Sequence, residues 1–307
     1  MSWKKLGLVF NCSGLESWAV RGAMIPTPIV LNEQIIRVFC TFLDNDGVGR
    51  TGWVDLDRED LFSVIDISKR PVFDIGLPGT FDENGALTCS VTPNREGGFN
   101  FYYAGFELGT KIRYRLLTGL VKTDDKFRVI KKYQAPILDR SEEELFFRGG
   151  PFCEFDSLLD RFRMWYVGGS EWTVINDKRM PIYIIKYMES YDGIHWPSVG
   201  STCIAVENDD EHGFGRPFIV KEKEIYKMYY SIRKKLLGYR LGYAESPDGI
   251  SWVRKDHVFE GFLPSEDGWD SQMLAYSAVI KSGDDSYMFY NGNNFGESGF
   301  GIAKWIT

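Results

Sequence analysis

At 307 residues with a formal net charge of −7, the chain lacks the basic balance that nucleic acid or an anionic membrane surface calls for. It has no apolar run of about 18 residues, which excludes a membrane-spanning helix read from sequence. Aromatic residues make up 15% of it and glycines number 32, a mixture that favours strands joined by tight turns.

Residues 1–15 hold two lysines and a short apolar stretch at 6–10. They lack the long apolar core of a secretory signal and are expected to belong to the mature protein. Residues 4–10 form the first predicted strand.

A unit then repeats five times. Its first three strands are predicted at 28–31, 36–40 and 49–56; at 89–92, 99–103 and 111–121; and at 151–154, 162–166 and 182–190. They return at 217–220, 226–230 and 239–246, and at 277–280, 286–290 and 299–305. The aromatic second strands end 63, 63, 64 and 60 residues apart, and the first strands begin 61, 62, 66 and 60 apart. Two markers in one register predict an all-β fold, a five-bladed β-propeller of four-stranded antiparallel blades. The chain is then one domain, 1–307, with blades at about 26–70, 85–135, 147–206, 214–260 and 274–307. The last unit stops after its third strand, so residues 4–10 are expected to pair there and close the ring.

Two hairpins carry Asp192-Gly193 before Trp196 and Asp248-Gly249 before Trp252. These are turn signals, with each Trp expected to pack between neighbouring units. Residues 141–145 are the best candidate for a single helical turn. The five cysteines (Cys12, Cys40, Cys89, Cys153, Cys203) are odd in number and contain no CxxC. That pattern fits buried thiols in a reducing compartment, and the expected location is cytoplasmic.

In such a unit the start of the first strand and the end of the second emerge on one face. The residues so selected include the carboxylates Asp82, Glu107, Glu171 and Asp270, with Arg21, Arg148, Arg216, Thr27, Thr88, His212, Trp172, Tyr276 and Asn293. Rings that stack on sugar C–H faces, beside groups that fix hydroxyls, are what a glycan site needs. Any one of these carboxylates is also what a solvated loop carries. Arg148 and Arg216, beside Gly and Pro at strand mouths, are expected to project inward and hold an anion such as phosphate, a nucleotide diphosphate or an acidic sugar.

Phe147, Arg148, Gly149, Gly150, Pro151 and Phe152, then Gly215, Arg216, Pro217 and Phe218, and Tyr290, Asn291 and Gly292 carry a resemblance. The pattern resembles the five-bladed glycoside hydrolase superfamily, which includes families 32, 43, 62 and 68 and the mannoside phosphorylases of family 130. It covers all five units. The resemblance implies three acidic groups at positions that here hold Thr27, Thr88 and Gly149, none of which can serve as a carboxyl catalyst. A displaced acid or base is therefore sought on the same face, with Glu171 first and Asp82 and Asp270 next.

Three functions remain open: a glycosidase-like enzyme acting on a glycosidic bond, a sugar transferase or phosphorylase of polysaccharide biosynthesis, and a propeller that only binds a glycan or protein. The expected partner is a carbohydrate or sugar-phosphate. No Walker loop, HExxH, nucleophile elbow or dinucleotide glycine motif is present, so no cofactor is expected. The acidic run at 207–212 reads as a solvated loop, and with three histidines in all no metal site is expected. Oligomeric state is not legible.

Overall fold

The computed structural model describes residues 2–306, apart from the side chain of Ser170. Strands occupy every predicted segment and generally run longer. The N-terminal strand β1 (Ser2–Phe10) and a short β2 (Ser13–Glu16) precede β3 (Ala19–Val30), β4 (Ile35–Leu43), β5 (Gly49–Asp57) and β6 (Val64–Ile67). The second repeat supplies β7 (Ala86–Pro93), β8 (Phe99–Leu108), β9 (Tyr114–Thr123) and β10 (Val129–Lys132). The third supplies β11 (Arg148–Asp156), β12 (Arg161–Ile175), β13 (Lys178–Ser190) and β14 (Ser201–Ile204). Then come β15 (Glu211–Glu222), β16 (Ile225–Lys234), β17 (Arg240–Ser246) and β18 (Val253–Arg254), and finally β19 (Ala275–Ser282), β20 (Asp285–Asn291) and β21 (Phe300–Ile306).

The only helical pieces among the described residues are a 3-10 turn at Asp256–Phe259 and one turn at Asn293–Gly296. Residues 141–145 form none. There Ser141 Oγ accepts a hydrogen bond from the Glu144 amide at 3.0 Å, and the Glu144 carboxylate is drawn into a buried ion cluster. The side-chain contacts outcompete a helical turn.

Two compact units arise: Met1–Val72 with Phe218–Ile232 and Leu237–Thr307, and Phe73–Pro217 with Arg233–Leu236. In the first unit, β1 pairs antiparallel with β21, from Ser2 opposite Ile306 to Phe10 opposite Phe300, so the expected pairing of the N-terminal strand is present. Phe10, Phe42, Phe289, Phe300 and Ile302 share one core there. In the second unit, Trp196 packs on a core that joins Tyr102 and Leu120 of one repeat to Phe162, Met164 and Tyr166 of the next. Its turn forms as expected: Gly193 takes φ 70°, and Asp192 Oδ1 accepts from the amides of Ile194 and His195 at 2.9 Å each.

One buried device recurs. The tyrosine that ends the aromatic motif donates its hydroxyl to a carboxylate, and a cation neutralises that carboxylate. Tyr103 binds Asp82 at 2.9 Å, with Lys132 at 2.8 Å. Tyr166 binds Glu144 at 2.6 Å, with Arg148 at 2.7 Å and Lys186 at 2.5 Å. Tyr230 binds Asp256 at 2.7 Å, with Arg254 at 2.6 Å, and Tyr290 binds Asp270 at 3.1 Å, with Lys5 at 2.6 Å. Burial first, and the facing carboxylate next, push each phenol up and keep it protonated. Glycine on the facing strand makes room: a Cβ at Gly119 would lie 2.2 Å from Tyr103 Cζ, and one at Gly242 would lie 2.2 Å from Tyr230 Cε2. In the first repeat Cys40 takes the tyrosine's place, and burial raises its thiol pKa.

Candidate functional site

Strand direction decides which residues of the second unit share an end. β11 meets β9 in parallel at Arg148 opposite Leu117, and β13 meets β15 in parallel at Tyr183 opposite Gly213. The mouths of β11 and β15 therefore lie at the same end as the β8–β9 and β12–β13 turns. A left-handed backbone there favours glycine. Gly150 sits at φ +59°, and a Cβ on it would lie 3.9 Å from Arg216 Cα. Arg216 Nη1 donates to the Cys89 carbonyl at 3.2 Å, so the mouths of β7, β11 and β15 converge. Burial pushes the Cys89 thiol up to about 12 against the opposing pull of the Arg216 cation. Thr88, one residue before Cys89, is buried with it.

The structure brings these mouths together but turns Arg148 elsewhere. Its Nη1 and Nη2 donate to the Asp139 and Pro197 carbonyls at 2.8 Å each, while Nε pairs with Glu144. The expectation that it projects inward is replaced by a packed guanidinium, 4% exposed, that ties a loop to its own sheet. His212, at the start of β15, is buried and its Nδ1 has no hydrogen-bond partner. Burial first and the nearby Arg233 charge second push its pKa down to about 4, against a hydrogen bond to Pro181 that favours the charged ring. A neutral imidazole results.

Trp172 and Glu171 sit on the longest hairpin. Its turn is set by Asn176 (φ 49°) and Asp177 (φ 58°), the pair of left-handed residues that a two-residue turn of this hand demands. Neighbouring strand residues project to opposite faces. Trp172 packs edge-on to Phe146 at 5.7 Å and lines a cleft of about 380 Å³, whereas exposed Glu171 is absent from that lining. The same cleft is lined by Lys111, Arg115, Arg140 and Arg179 and by no carboxylate. Glu107 reaches it only as the partner of Arg115, at 3.1 Å. Those four cations were not among the sequence candidates, although each lies within a turn of chain from the Glu107 or Trp172 hairpins or the loop before Arg148.

The first unit holds the remaining candidates. Arg21 pairs with Glu297 at 2.8 Å and donates to the Asp44 carbonyl at 2.9 Å. Thr27 is buried and donates to the Ile25 carbonyl at 3.2 Å. Asn293 accepts from the Gln272 amide at 2.7 Å and donates to the Gly268 carbonyl at 2.9 Å, which makes it a loop fastener. Asp270 is the Lys5 partner described above. Ile25, within β3, and Tyr276, at the mouth of β19, both have φ 54°. For a β-branched residue that is strained backbone, held here by Asn291 Oδ1 accepting from the Ile25 amide at 2.7 Å.

No protein-family profile matches the chain. An uncharacterized protein of Mycobacterium tuberculosis strain H37Rv is 29% identical over 306 residues, covering 99% of each chain. Among solved structures, one titled glycoside hydrolase superposes with a TM-score of 0.76 at 19% identity, over 99% of this chain and 92% of its own. A thermostable family-43 glycoside hydrolase gives 0.64 at 17% identity, over 93% and 88%. An α-L-arabinofuranosidase from Lactobacillus brevis gives 0.68 at 9% identity, over 92% and 90%. The chain has the fold of these glycoside hydrolases. At such identities the likeness concerns the fold alone.

The five cysteines form no disulfide. Among the described residues no helix is long and apolar enough to cross a membrane.

Proposed function

We propose that the chain is a five-bladed β-propeller, closed by β1, that acts on a glycosidic bond as a carbohydrate-active enzyme with Glu171 as its acid–base group. One observation carries the choice of residue. Of the four carboxylates on the predicted face, Asp82 is paired with Lys132, Asp270 with Lys5 and Glu107 with Arg115. Glu171 alone among them has no ion pair among the described residues and stands exposed within the β12–β13 hairpin. A carboxylate locked to a buried ammonium is poorly suited to exchanging protons with a leaving group, whereas an exposed one can. In this reading Asp82 and Asp270 brace their sheets. Thr88, Arg216 and neutral His212 shape the mouth, and Arg148 positions the loop beside it. In the first unit Thr27, Tyr276, Arg21 and Asn293 set the strand mouths.

A second reading, transfer or phosphorolysis, is favoured by the same scarcity of acids. Hydrolysis ordinarily takes two carboxyl groups. In phosphorolysis inorganic phosphate attacks the sugar carbon of the donor while the departing glycosidic oxygen takes a proton from one protein acid, so a second carboxyl is not needed, and the cationic cleft suits an anionic substrate.

Both readings meet one assay: wild type and Glu171→Gln incubated with chromogenic glycosides, oligosaccharides with and without phosphate, and nucleotide sugars, with products followed by mass spectrometry. Turnover should fall about 10²- to 10⁴-fold in the variant. Phosphate-dependent products select the second reading. Equal turnover in the two proteins removes Glu171 from the chemistry, and binding without turnover of any donor leaves a glycan-binding propeller.

A further inference from the structure

The cleft beside Trp172 is lined by cations and rings in a chain whose net charge is −7. Arg115 has Glu107 as a half-buried partner at 3.1 Å, and Arg140 has Asp139 at 3.5 Å in an exposed pair. Lys111 and Arg179 have no ion pair among the described residues. Two positive charges thus face the cleft without a carboxylate to balance them. The site is also supported from beneath. Trp172 rests on Phe147 at 5.5 Å, and Phe147 is buried against Tyr183 at 5.1 Å, so the indole is held while one side lines the cleft. Arg179 and Trp172 are carried by one hairpin and Lys111 and Arg115 by the β8–β9 turn, which sets charges across from a ring.

We infer that this cleft is a subsite for the acidic part of a glycan or sugar donor. It takes a sugar bearing a carboxylate or phosphate, with the sugar's C–H face on Trp172 and the anion between Lys111, Arg115 and Arg179. This rests on the carbohydrate reading above and adds the charge class of the ligand and the place that recognises it. Arginine forks match carboxylate and phosphate oxygens in pairs, and the aromatic wall supplies the apolar contact that a free inorganic anion cannot use. The buried Arg148 and Arg216 are then not the anion holders: Arg148 pairs with Glu144 and donates to two carbonyls, and Arg216 donates to the Cys89 carbonyl.

The test is calorimetric and NMR titration of wild type, Lys111→Gln/Arg179→Gln and Trp172→Ala with glucose, glucuronate, glucose 1-phosphate and inorganic phosphate at low and high salt. Melting temperature is the control for folding. Wild type should bind glucuronate or glucose 1-phosphate about tenfold or more tightly than glucose, an advantage that salt erodes. The double variant should lose that advantage with its melting temperature unchanged, and Trp172→Ala should weaken acidic and neutral sugars alike. Whether glucuronate or glucose 1-phosphate binds better separates a uronic acid from a sugar phosphate. Equal binding of charged and neutral sugars would overturn the inference. So would discrimination that survives the double variant, or inorganic phosphate binding as tightly as glucose 1-phosphate and indifferent to Trp172→Ala. Acidic-sugar binding without turnover of any donor would end the enzyme reading and leave the subsite standing. Turnover that depends on Glu171 but ignores both the sugar's charge and the double variant would do the reverse.

Discussion

Two places in the second unit set cations against aromatic rings, and they are chemical opposites. Around Glu144, the Arg148 and Lys186 charges and the Tyr166 hydroxyl converge on one carboxylate that is 4% exposed. Around Trp172, four cations line a cleft with no carboxylate in its lining among the described residues. The first arrangement is closed: both cations share one buried carboxylate, and removing it strands them in a poor solvent for ions. The second is open: two of its cations, Lys111 and Arg179, have no ion pair among the described residues. Charge balance rather than residue type separates a brace from a binding site.

Breaking the closed cluster should have the largest effect. Glu144→Gln leaves two cations around a neutral amide and is expected to destabilise the protein by about 3–5 kcal/mol, read from the midpoint of denaturant unfolding. Acid should act next, through His212. Its folded pKa of about 4 lies below its unfolded value, so the unfolded chain takes up the proton first. The contribution of a neutral His212 is therefore complete above about pH 6.5 and is lost as pH falls from there towards 4, by roughly 3 kcal/mol. His212→Gln should flatten the stability profile in that window. If the two profiles stay parallel, the ring is not held neutral.

Gly119→Ala sharpens the account of the recurrent tyrosine. The new methyl would collide with the Tyr103 ring, which must tilt away from Asp82, and a loss of about 1–3 kcal/mol is expected in thermal melts. In a Tyr103→Phe background the hydroxyl–carboxylate bond is already gone, so part of that loss should disappear. The smallest effect belongs to the open cleft. Arg179→Gln should change stability by less than about 0.5 kcal/mol.

The strands were legible because aromatic residues alternate at a fixed period and survive every local variation between Ile35 and Ile306. The pairing of β1 with β21 followed from counting strands. The ion clusters were half legible. Tyr103, Tyr166 and Tyr290 find their carboxylates 21, 22 and 20 residues upstream, a spacing the sequence displays. Tyr230 instead takes Asp256, 26 residues downstream, which no period foretells. The site was less legible because side-chain direction depends on where a bulge falls. Register shifts occur between Gly149 and Phe152 and between Gly169 and Glu171, near the residues in question. A long side chain such as Arg148 can also turn back to a carbonyl that sequence alone does not locate.

The strand Ser2–Phe10 pairs with Phe300–Ile306, so its partner is synthesised only after every other strand described here. Until then its backbone donors and acceptors stand unpaired, an edge inviting other chains in a crowded cell. Trp3 and Phe10, buried in the finished protein, are exposed for the same interval. Such an ordering gives the newborn polypeptide a long vulnerable period during translation, and it makes rapid capture of β1 by β21 the event that ends it.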